Sequence, residues 1–581
     1  MPNKKDIELK TETLSGADTE FDLIVVGAGC AGMSAALFAA IEGLKVLVVE
    51  RTQWVGGTSA LAAGAMWIPN THLGAGSGDS PAKAAHYLEL ATGGRTPAAL
   101  RQRFLGLGPQ AVKCLEEHGD LPMRAFPHHP DYMSELPDST TWGRVLECLP
   151  FDGRQLGSAL GLVRPPIPEF TVLGGMMVDR IDINHLLNMT RSRASFAHSV
   201  RLLLRHAGDR MRYPRGARLV LGNALIGRLL LSLRTRGVPI WTQTRAESLV
   251  VHNGRITGLT VSREGQSIAL TTRKGVVLAG GGFNDHPAYR GQLIPPEVTH
   301  SPRAGSSPGD LLGQVLALGA RLSEPKNSAA FWAPVSVRRR SDHSIAVFPH
   351  FVLDRAKPGT VVVNASGHRF LNESISYHQF GERMLKPGPD GRSNAVAYLI
   401  ADRRALVKYG LGMVRPGGRG LAPFLRDGYL VQAPTLEALA QRLGMAPSVL
   451  KDTVARMNGF ARDGVDSEFQ RGTTAYQRNL GDAAVQPNPT LGPIEQSPFY
   501  ALRLQPGDIA ASVGLVTDAD ARVLRGDEAI EGLYAAGNDM QSVMGDAYPG
   551  PGINLGPAVV FAYAAVQASL GNSISTEAVT P

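Results

Sequence analysis

Cysteine is scarce. The 581 residues hold three, Cys30, Cys114 and Cys148, with neither metal-ligand spacing nor the pattern of a disulfide framework, and no C-x-x-C-H marks an attached haem. No metal is expected. Long apolar runs are lacking too: the longest, from Ile553 to Leu570, is interrupted by Gly556-Pro557 and reads as a buried helix rather than a membrane span. Residues 1–20 are polar and charged with no apolar centre, which reads as a disordered tail and not a secretion signal. Blocks of one charge are missing as well. Lysine and arginine number 59 against 51 acids, a formal +8, and the excess is scattered. No basic block is interleaved with aromatics, so nucleic acid is not an expected partner. Arg338-Arg339-Arg340 is the patch best suited to an anionic membrane surface, which leaves peripheral association open, though it reads first as a solvated loop. Together these absences predict a soluble chain of the cytoplasm.

What is present starts with Leu23-Ile24-Val25-Val26, the composition of a parallel strand buried on both faces. Gly27-Ala28-Gly29-Cys30-Ala31-Gly32 follows, then an Ala-rich helical pattern from Met33 to about Glu42 and a second apolar strand, Lys45 to Val49, ending in Glu50. In G-x-G-x-x-G the first glycine permits the turn, the second admits a pyrophosphate, and the third lets helix and strand pack closely. The helix N-terminus faces the phosphate charge, and Glu50 is placed for a ribose hydroxyl. Arg51 and a second glycine-rich segment, Gly56-Gly57-Thr58-Ser59, come next; that second segment resembles flavoproteins, and FAD is the expected cofactor.

Such a length predicts more than one structural unit. Residues 80–118 carry helical periodicity, residues 122–168 read as irregular, and residues 215–237 hold an amphipathic helix. Val238–Trp241, Ser248–Val251, Ile256–Arg263 and Ser267–Thr272 read as strands of a meander, and Gly275–Leu278 as a further buried strand before Gly280-Gly281-Gly282. From about residue 330 the composition changes. The expected organisation is α/β: a Rossmann-like FAD-binding domain of glutathione-reductase type (21–329 and 506–581) carrying an inserted α+β catalytic, or capping, domain (330–505).

GAGCAG, VGGTSALAAGAMWIPN, VVLAGGGFN, RFLNES, GLYAAGN and DAYPGPGINLGPAVVFAY together resemble the fumarate reductase/succinate dehydrogenase flavoprotein superfamily over nearly the whole chain. The Y-P-G-x-G at Tyr548–Gly552 is similar to its 3-ketosteroid Δ1-dehydrogenase branch. The His-Thr pair usual in the dicarboxylate branch is absent from the corresponding Ala510–Leu515. The resemblance implies an oxidoreductase that desaturates the bond α,β to a cyclic ketone. Tyr548 and the Gly552 N–H would grip the ketone oxygen, Tyr377 would take the α proton, and Tyr132 would relay it. His378, next to that base, reads equally as a group that tunes it or as a surface histidine. Non-covalent FAD would lie along Gly27, Gly29, Cys30, Ala31, Gly32, Glu50, Arg51, Gly56, Gly57, Thr58, Ser59, Ala63, Gly64, Ala246, Gly280, Gly281, Gly537, Asn538, Asn554 and Leu555, with a quinone-like external electron acceptor. Two alternatives stand beside a steroid. One is an oxo-cyclohexane carboxylate, which needs an arginine such as Arg426 or Arg369; the other is a fumarate-reductase-like enoate or enone reductase. Oligomeric state is left open.

Overall fold

The computed structural model describes residues 18–388 and 391–572. Most of the expected N-terminal tail lies outside the described residues. Two large sheets organise the rest. The first runs in the order Ile240–Trp241, Val46–Val49, Glu20–Val26, Gln266–Leu278, Arg255–Arg263, Thr244–His252. Its centre is parallel: Leu23 pairs with Val46 on one side and with Gly275 on the other. Leu23, Ile24 and Val25 are fully buried, as strands covered on both faces must be.

Gly32 explains the closeness of the first helix, Cys30–Ile41, to its strand. A Cβ on Gly32 would overlap the Gly27 carbonyl oxygen. The helix opens at Cys30 rather than Met33, because Gly29 adopts the extended N-cap conformation and the small residues after it fit at once into the first turn. The final helix, Leu555–Leu570, packs against this first one and buries most of its apolar residues. No helix among the described residues is long and apolar enough to cross a membrane.

The structure revises several boundaries. Ser267–Thr272 and Gly275–Leu278 form one strand, Gln266–Leu278. Its first half pairs antiparallel with Arg255–Arg263 and its second half parallel with Glu20–Val26. Gly275, at φ 128° and backed against Gly532, lets the chain pass between the two. Residues 80–118 make two helices, Pro81–Thr92 and Ala98–Glu117, since Gly93 closes the first in the left-handed conformation. Inside the stretch expected to be irregular, Met123–Ala125 and Val145–Cys148 join Ala65–Trp67 in a three-stranded sheet.

The second sheet runs in the order Ile345–Pro349, Ala330–Arg339, Phe499–Ala511, Ala397–Ala401, Thr360–Asn364, and Leu430–Ala433 also pairs with Phe499–Ala511. The arginine patch is not a solvated loop. Arg338 and Arg339 end the strand Ala330–Arg339. Arg338 pairs with Asp427 at 2.7 Å and lies over the Phe424 ring, while Arg340 is paired with Glu169. Nearby acids and an aromatic face claim guanidiniums that composition alone left to solvent.

Candidate active site

The two glycine-rich segments face each other. Gly29 stands open, its nearest side-chain atom being Ser59 Oγ at 3.9 Å from where a Cβ would lie, and Gly57 looks back at Gly29 Cα at the same distance. Ser59 Oγ accepts from the Cys30 N–H at 3.2 Å, and Thr58 Oγ1 accepts from the Ala304 N–H at 3.2 Å. Glu50 is 7% exposed, its carboxylate held by the Ala28 N–H at 3.0 Å and the Thr52 N–H at 2.8 Å. A cavity at the strand ends is lined by Gly27, Glu50, Arg51, Ala246, Gly280 and Asn538, all residues that the resemblance assigned to the cofactor.

The other assigned residues do not line this cavity and are placed in different ways. Cys30, Ala31 and Gly32 open the first helix. The Cys30 thiol is buried and pushed up to about 12 by desolvation. Gly56 packs on Ile226 and Gly64 backs onto Leu221-Gly222, while Ala63 is exposed. Gly281 lies beside Ser307, and Gly537 beside Ala31. Leu555 begins the final helix, whose N-cap is Asn554. Sequence reasoning missed Asp539. It lines the same cavity and its carboxylate accepts from the Gly280 and Gly282 N–H groups; burial holds its pKa above the ordinary value. A glycine-open turn, a helix N-terminus, a buried ribose-side carboxylate and a cavity between them fit a dinucleotide.

Tyrosines gather at a second focus. The Tyr377 hydroxyl donates to the Tyr548 oxygen at 2.8 Å, and Asn554 Nδ2 donates to the same oxygen at 3.2 Å. Two donors on one phenol oxygen leave its own proton for a third partner. The Tyr132 ring stacks on Tyr548 with centroids 5.7 Å apart and meets Tyr377 edge-on at 5.5 Å. Its N–H donates to the Pro549 carbonyl at 2.8 Å, tying the P-D-Y turn to the Y-P-G turn. Tyr87 also donates to that carbonyl, at 2.6 Å. The structure therefore brings Tyr132, Tyr377 and Tyr548 together from three distant stretches of chain. All three are buried.

Gly552 ends the Y-P-G-P-G loop at φ 89° with its Cα against the Ala65 carbonyl, where a side chain would overlap. Its own carbonyl accepts from the Trp67 N–H at 3.1 Å, whereas among the described residues the Gly552 N–H meets no protein acceptor. Burial raises every phenol here. Tyr548 is pushed up to about 12, its two hydrogen-bond donors working against the desolvation. Tyr377 is held well above the ordinary phenol value by desolvation and by Tyr132 and Tyr548 beside it. Tyr132 is likewise raised by burial, with the Arg355 charge opposing.

A fourth ring, Tyr476, packs 4.5 Å from Tyr132, and its buried hydroxyl has no hydrogen-bond partner within normal distance among the described residues. Burial pushes its pKa up to about 12, with the Arg355 charge opposing. Neither residue was singled out in the sequence: Tyr476 is one tyrosine of thirteen, and no spacing ties Arg355 to the others. His378 is buried, its ring 5.7 Å from Tyr548; Nδ1 accepts from the Trp332 N–H at 3.2 Å and Nε2 donates to the Asp546 carbonyl at 2.9 Å. The two candidate carboxylate partners lie elsewhere. Arg369 is committed to Glu373 at 2.8 Å and Asp466 at 2.6 Å inside the second sheet's unit, and Arg426 is exposed.

Residues 22–555 match the FAD binding domain family. The chain is 36% identical to a 3-oxosteroid 1-dehydrogenase of Mycolicibacterium smegmatis, across 94% of this chain and 96% of the relative. It is also 36% identical to a 4-oxocyclohex-2-ene-1-carboxylate 5-dehydrogenase of Sinomonas cyclohexanicum, across 94% and 92%. A crystal structure of 3-ketosteroid delta1-dehydrogenase from Sterolibacterium denitrificans, in complex with 1,4-androstadiene-3,17-dione, superposes with a TM-score of 0.88 at 35% identity, covering 95% of this chain and all of that one.

Proposed function

The chain belongs to the FAD-binding flavoenzyme family that includes the 3-oxosteroid 1-dehydrogenases, and from that premise we propose that it desaturates the carbon–carbon bond α,β to a ring ketone, with a 3-ketosteroid as substrate. FAD, held without a covalent bond in the glycine-lined groove, supplies the acceptor for the hydride leaving the β carbon. The rest of the work falls to the chain. Tyr548 and the Gly552 N–H take the ketone oxygen between them, stabilising the enolate character that develops as the α proton leaves. Tyr377 takes that proton, and Tyr132 carries charge or proton away from it. The single observation behind the reading is the meeting of the assigned groups: the Tyr377 and Tyr548 oxygens lie 2.8 Å apart, and the N–H at Gly552, in the same loop as Tyr548, meets no protein acceptor among the described residues.

The steroid assignment is favoured over a small keto acid by the charges available. A carboxylate calls for an arginine with free donors. Arg355, close enough to bear on Tyr132 and Tyr476, donates to the carbonyls of His350 and Phe351 at 2.9 Å each and to that of Glu373. Phe331 and Phe351 complete an apolar surround for Tyr548 and Tyr377. Residues 330–505 are taken as the capping unit, supported by a six-stranded sheet whose strands lie between Ala330 and Ala511. An external oxidant of quinone type would reoxidise the enzyme.

Anaerobic mixing of the holoenzyme with a 3-keto-4-ene steroid should bleach the flavin and yield the 1,4-diene. A panel of steroid ketones that leaves the flavin oxidised, while an oxo-cyclohexene carboxylate bleaches it, would move the substrate to the second class. Reoxidation by an unsaturated acid but not by a quinone would reverse the direction of the reaction.

A further inference from the structure

The groove assigned to the cofactor has two walls. Glu50, Arg51 and Ala246 line it from the strand ends, and Ser306, Pro308 and Asp310 line it from a stretch, residues 303–310, that holds no helix or strand. This second wall is firmly fixed. Arg303 is buried between Asp285 at 2.9 Å and Asp508 at 2.8 Å. The Ala304 N–H donates to Thr58 Oγ1 at 3.2 Å, and the Ser307 N–H to Asp285 at 2.9 Å. A buried guanidinium with both carboxylates in place is costly to withdraw, so the wall does not open from this end.

The other end is held loosely. Asp310 stands between Arg51 at 3.4 Å and Arg245 at 3.3 Å, arginines whose side chains are 37% and 62% exposed. Among the described residues these are its only ion pairs. Arg51 directly follows the ribose-side acid Glu50 at the end of strand Val46–Val49, and Arg245 lies on the edge strand Thr244–His252. One carboxylate therefore joins the two walls. Gly309, at φ 64°, gives the chain a bend just before it that a residue with a Cβ adopts only under strain. Exposed ion pairs are weak singly and are screened by salt, so this is the point at which the groove yields first.

We infer that Arg51, Asp310 and Arg245 form an ionic clasp across the mouth of the groove, and that its opening sets the rate at which FAD leaves. A cofactor held without a covalent bond is retained only as long as its groove stays shut, and the weakest tie between the walls decides how long that is. Asp310 matters most in the clasp. Without its charge, two guanidiniums that now share one carboxylate would face each other and repel. Arg245 does not line the groove, so it acts on the cofactor through Asp310 alone. The clasp concerns FAD only, whichever ketone the enzyme desaturates.

Flavin retained by the full-length holoenzyme, read as absorbance after gel filtration at timed intervals, tests the clasp. Loss of FAD should be roughly tenfold faster in Asp310→Asn and roughly threefold faster in Arg245→Gln, as expected for two weak exposed pairs and for one of them. Asp310→Glu, which keeps the charge, should restore slow release. Sodium chloride at about 1 M, where the screening length falls to about 3 Å, should speed release from wild type and change Asp310→Asn little. Arg245→Gln alters one exposed side chain, and its apoprotein should melt with the wild type. An Arg245→Gln protein that loses flavin at the wild-type rate would overturn the clasp, even if Asp310→Asn held no flavin at all. Salt that speeds release equally from wild type and Asp310→Asn would overturn it too.

Discussion

The Tyr377 hydroxyl donates its proton to the oxygen of Tyr548, 2.8 Å away, so the assigned base and the assigned electrophile share one hydrogen bond before any substrate arrives. That coupling sharpens the expected outcome of removing either hydroxyl. Tyr548→Phe loses the donor to the ketone, and by analogy with other donors to a developing oxyanion the rate of flavin bleaching by substrate should fall about 10²–10³-fold. Tyr377→Phe should fall by about 10²–10⁴, the range for a positioned base. Both proteins should remain yellow, because neither side chain lines the groove assigned to the cofactor. Anaerobic stopped-flow reads both numbers, and a Tyr548→Phe protein that bleaches at the wild-type rate would remove the mechanism.

The pH dependence follows from burial. A base must lose its proton to act, and desolvation together with Tyr132 and Tyr548 holds the Tyr377 hydroxyl well above the ordinary phenol value. The active form is therefore a minor one at neutral pH and grows with alkalinity. The bleaching rate at saturating substrate should climb through the alkaline range with no plateau before about pH 10, the unperturbed value for tyrosine. Arg355→Met, which removes the positive charge opposing the rise at Tyr132 and Tyr476, should steepen the need for alkali. A rate that is flat from neutrality upward would mean that some other group takes the proton.

The cofactor side of this protein was legible in the sequence because its requirements are local. A turn that needs Gly27, a helix that needs Gly32 and a strand that ends in Glu50 lie within one βαβ unit, and period and spacing report them directly. Tyr132, Tyr377 and Tyr548 are a different matter. Nothing local distinguishes them from other tyrosines, and only resemblance marked them before folding brought them together. Arg355 and Tyr476 had no marker at all, since their bearing on the cluster arises through tertiary packing. Boundaries moved where a single backbone conformation decided them: Gly93 splits what periodicity read as continuous, and Gly275 joins what composition read as two strands. The Arg338–Arg340 patch was misread because the partners Asp427 and Glu169 are remote in sequence.

Two glycines of the fingerprint should behave differently when a methyl group is added. A Cβ on Gly32 would overlap the Gly27 carbonyl oxygen, and nothing flexible is there to yield. Gly32→Ala should give protein that is colourless and either unfolded or melts well below wild type. At Gly29 the nearest atom to such a Cβ is Ser59 Oγ, 3.9 Å away, so Gly29→Ala should fold normally and fail only in holding FAD, because the methyl stands where a pyrophosphate must approach. Thermal melts of the apoproteins beside flavin content after gel filtration separate the two. Equal melting of the two apoproteins would contradict the packing role given to Gly32.

His378 makes the fold sensitive to acid. Burial, partly opposed by its bond to the Asp546 carbonyl, lowers its pKa from the ordinary 6.5 to about 4. An unfolded chain therefore binds this proton more readily than the folded one between those values. Stability is fully present above pH 6.5 and is lost as pH falls towards 4, by on the order of 3 kcal/mol, since each tenfold difference in proton affinity between the two states is worth about 1.4 kcal/mol. Glu382, 3.5 Å from His378 Nε2, has its carboxyl raised by burial and works in the opposite sense, so the wild-type curve alone would not isolate the histidine. His378→Gln removes its titration while keeping an amide able to donate and accept. Urea unfolding at pH 7 and pH 4.5 should show the wild type losing about 2 kcal/mol more than the variant over that interval. Equal losses in the two proteins would mean that the ring is protonated in the folded state without penalty, and that its seat between Trp332 and Asp546 is wetter than its burial implies.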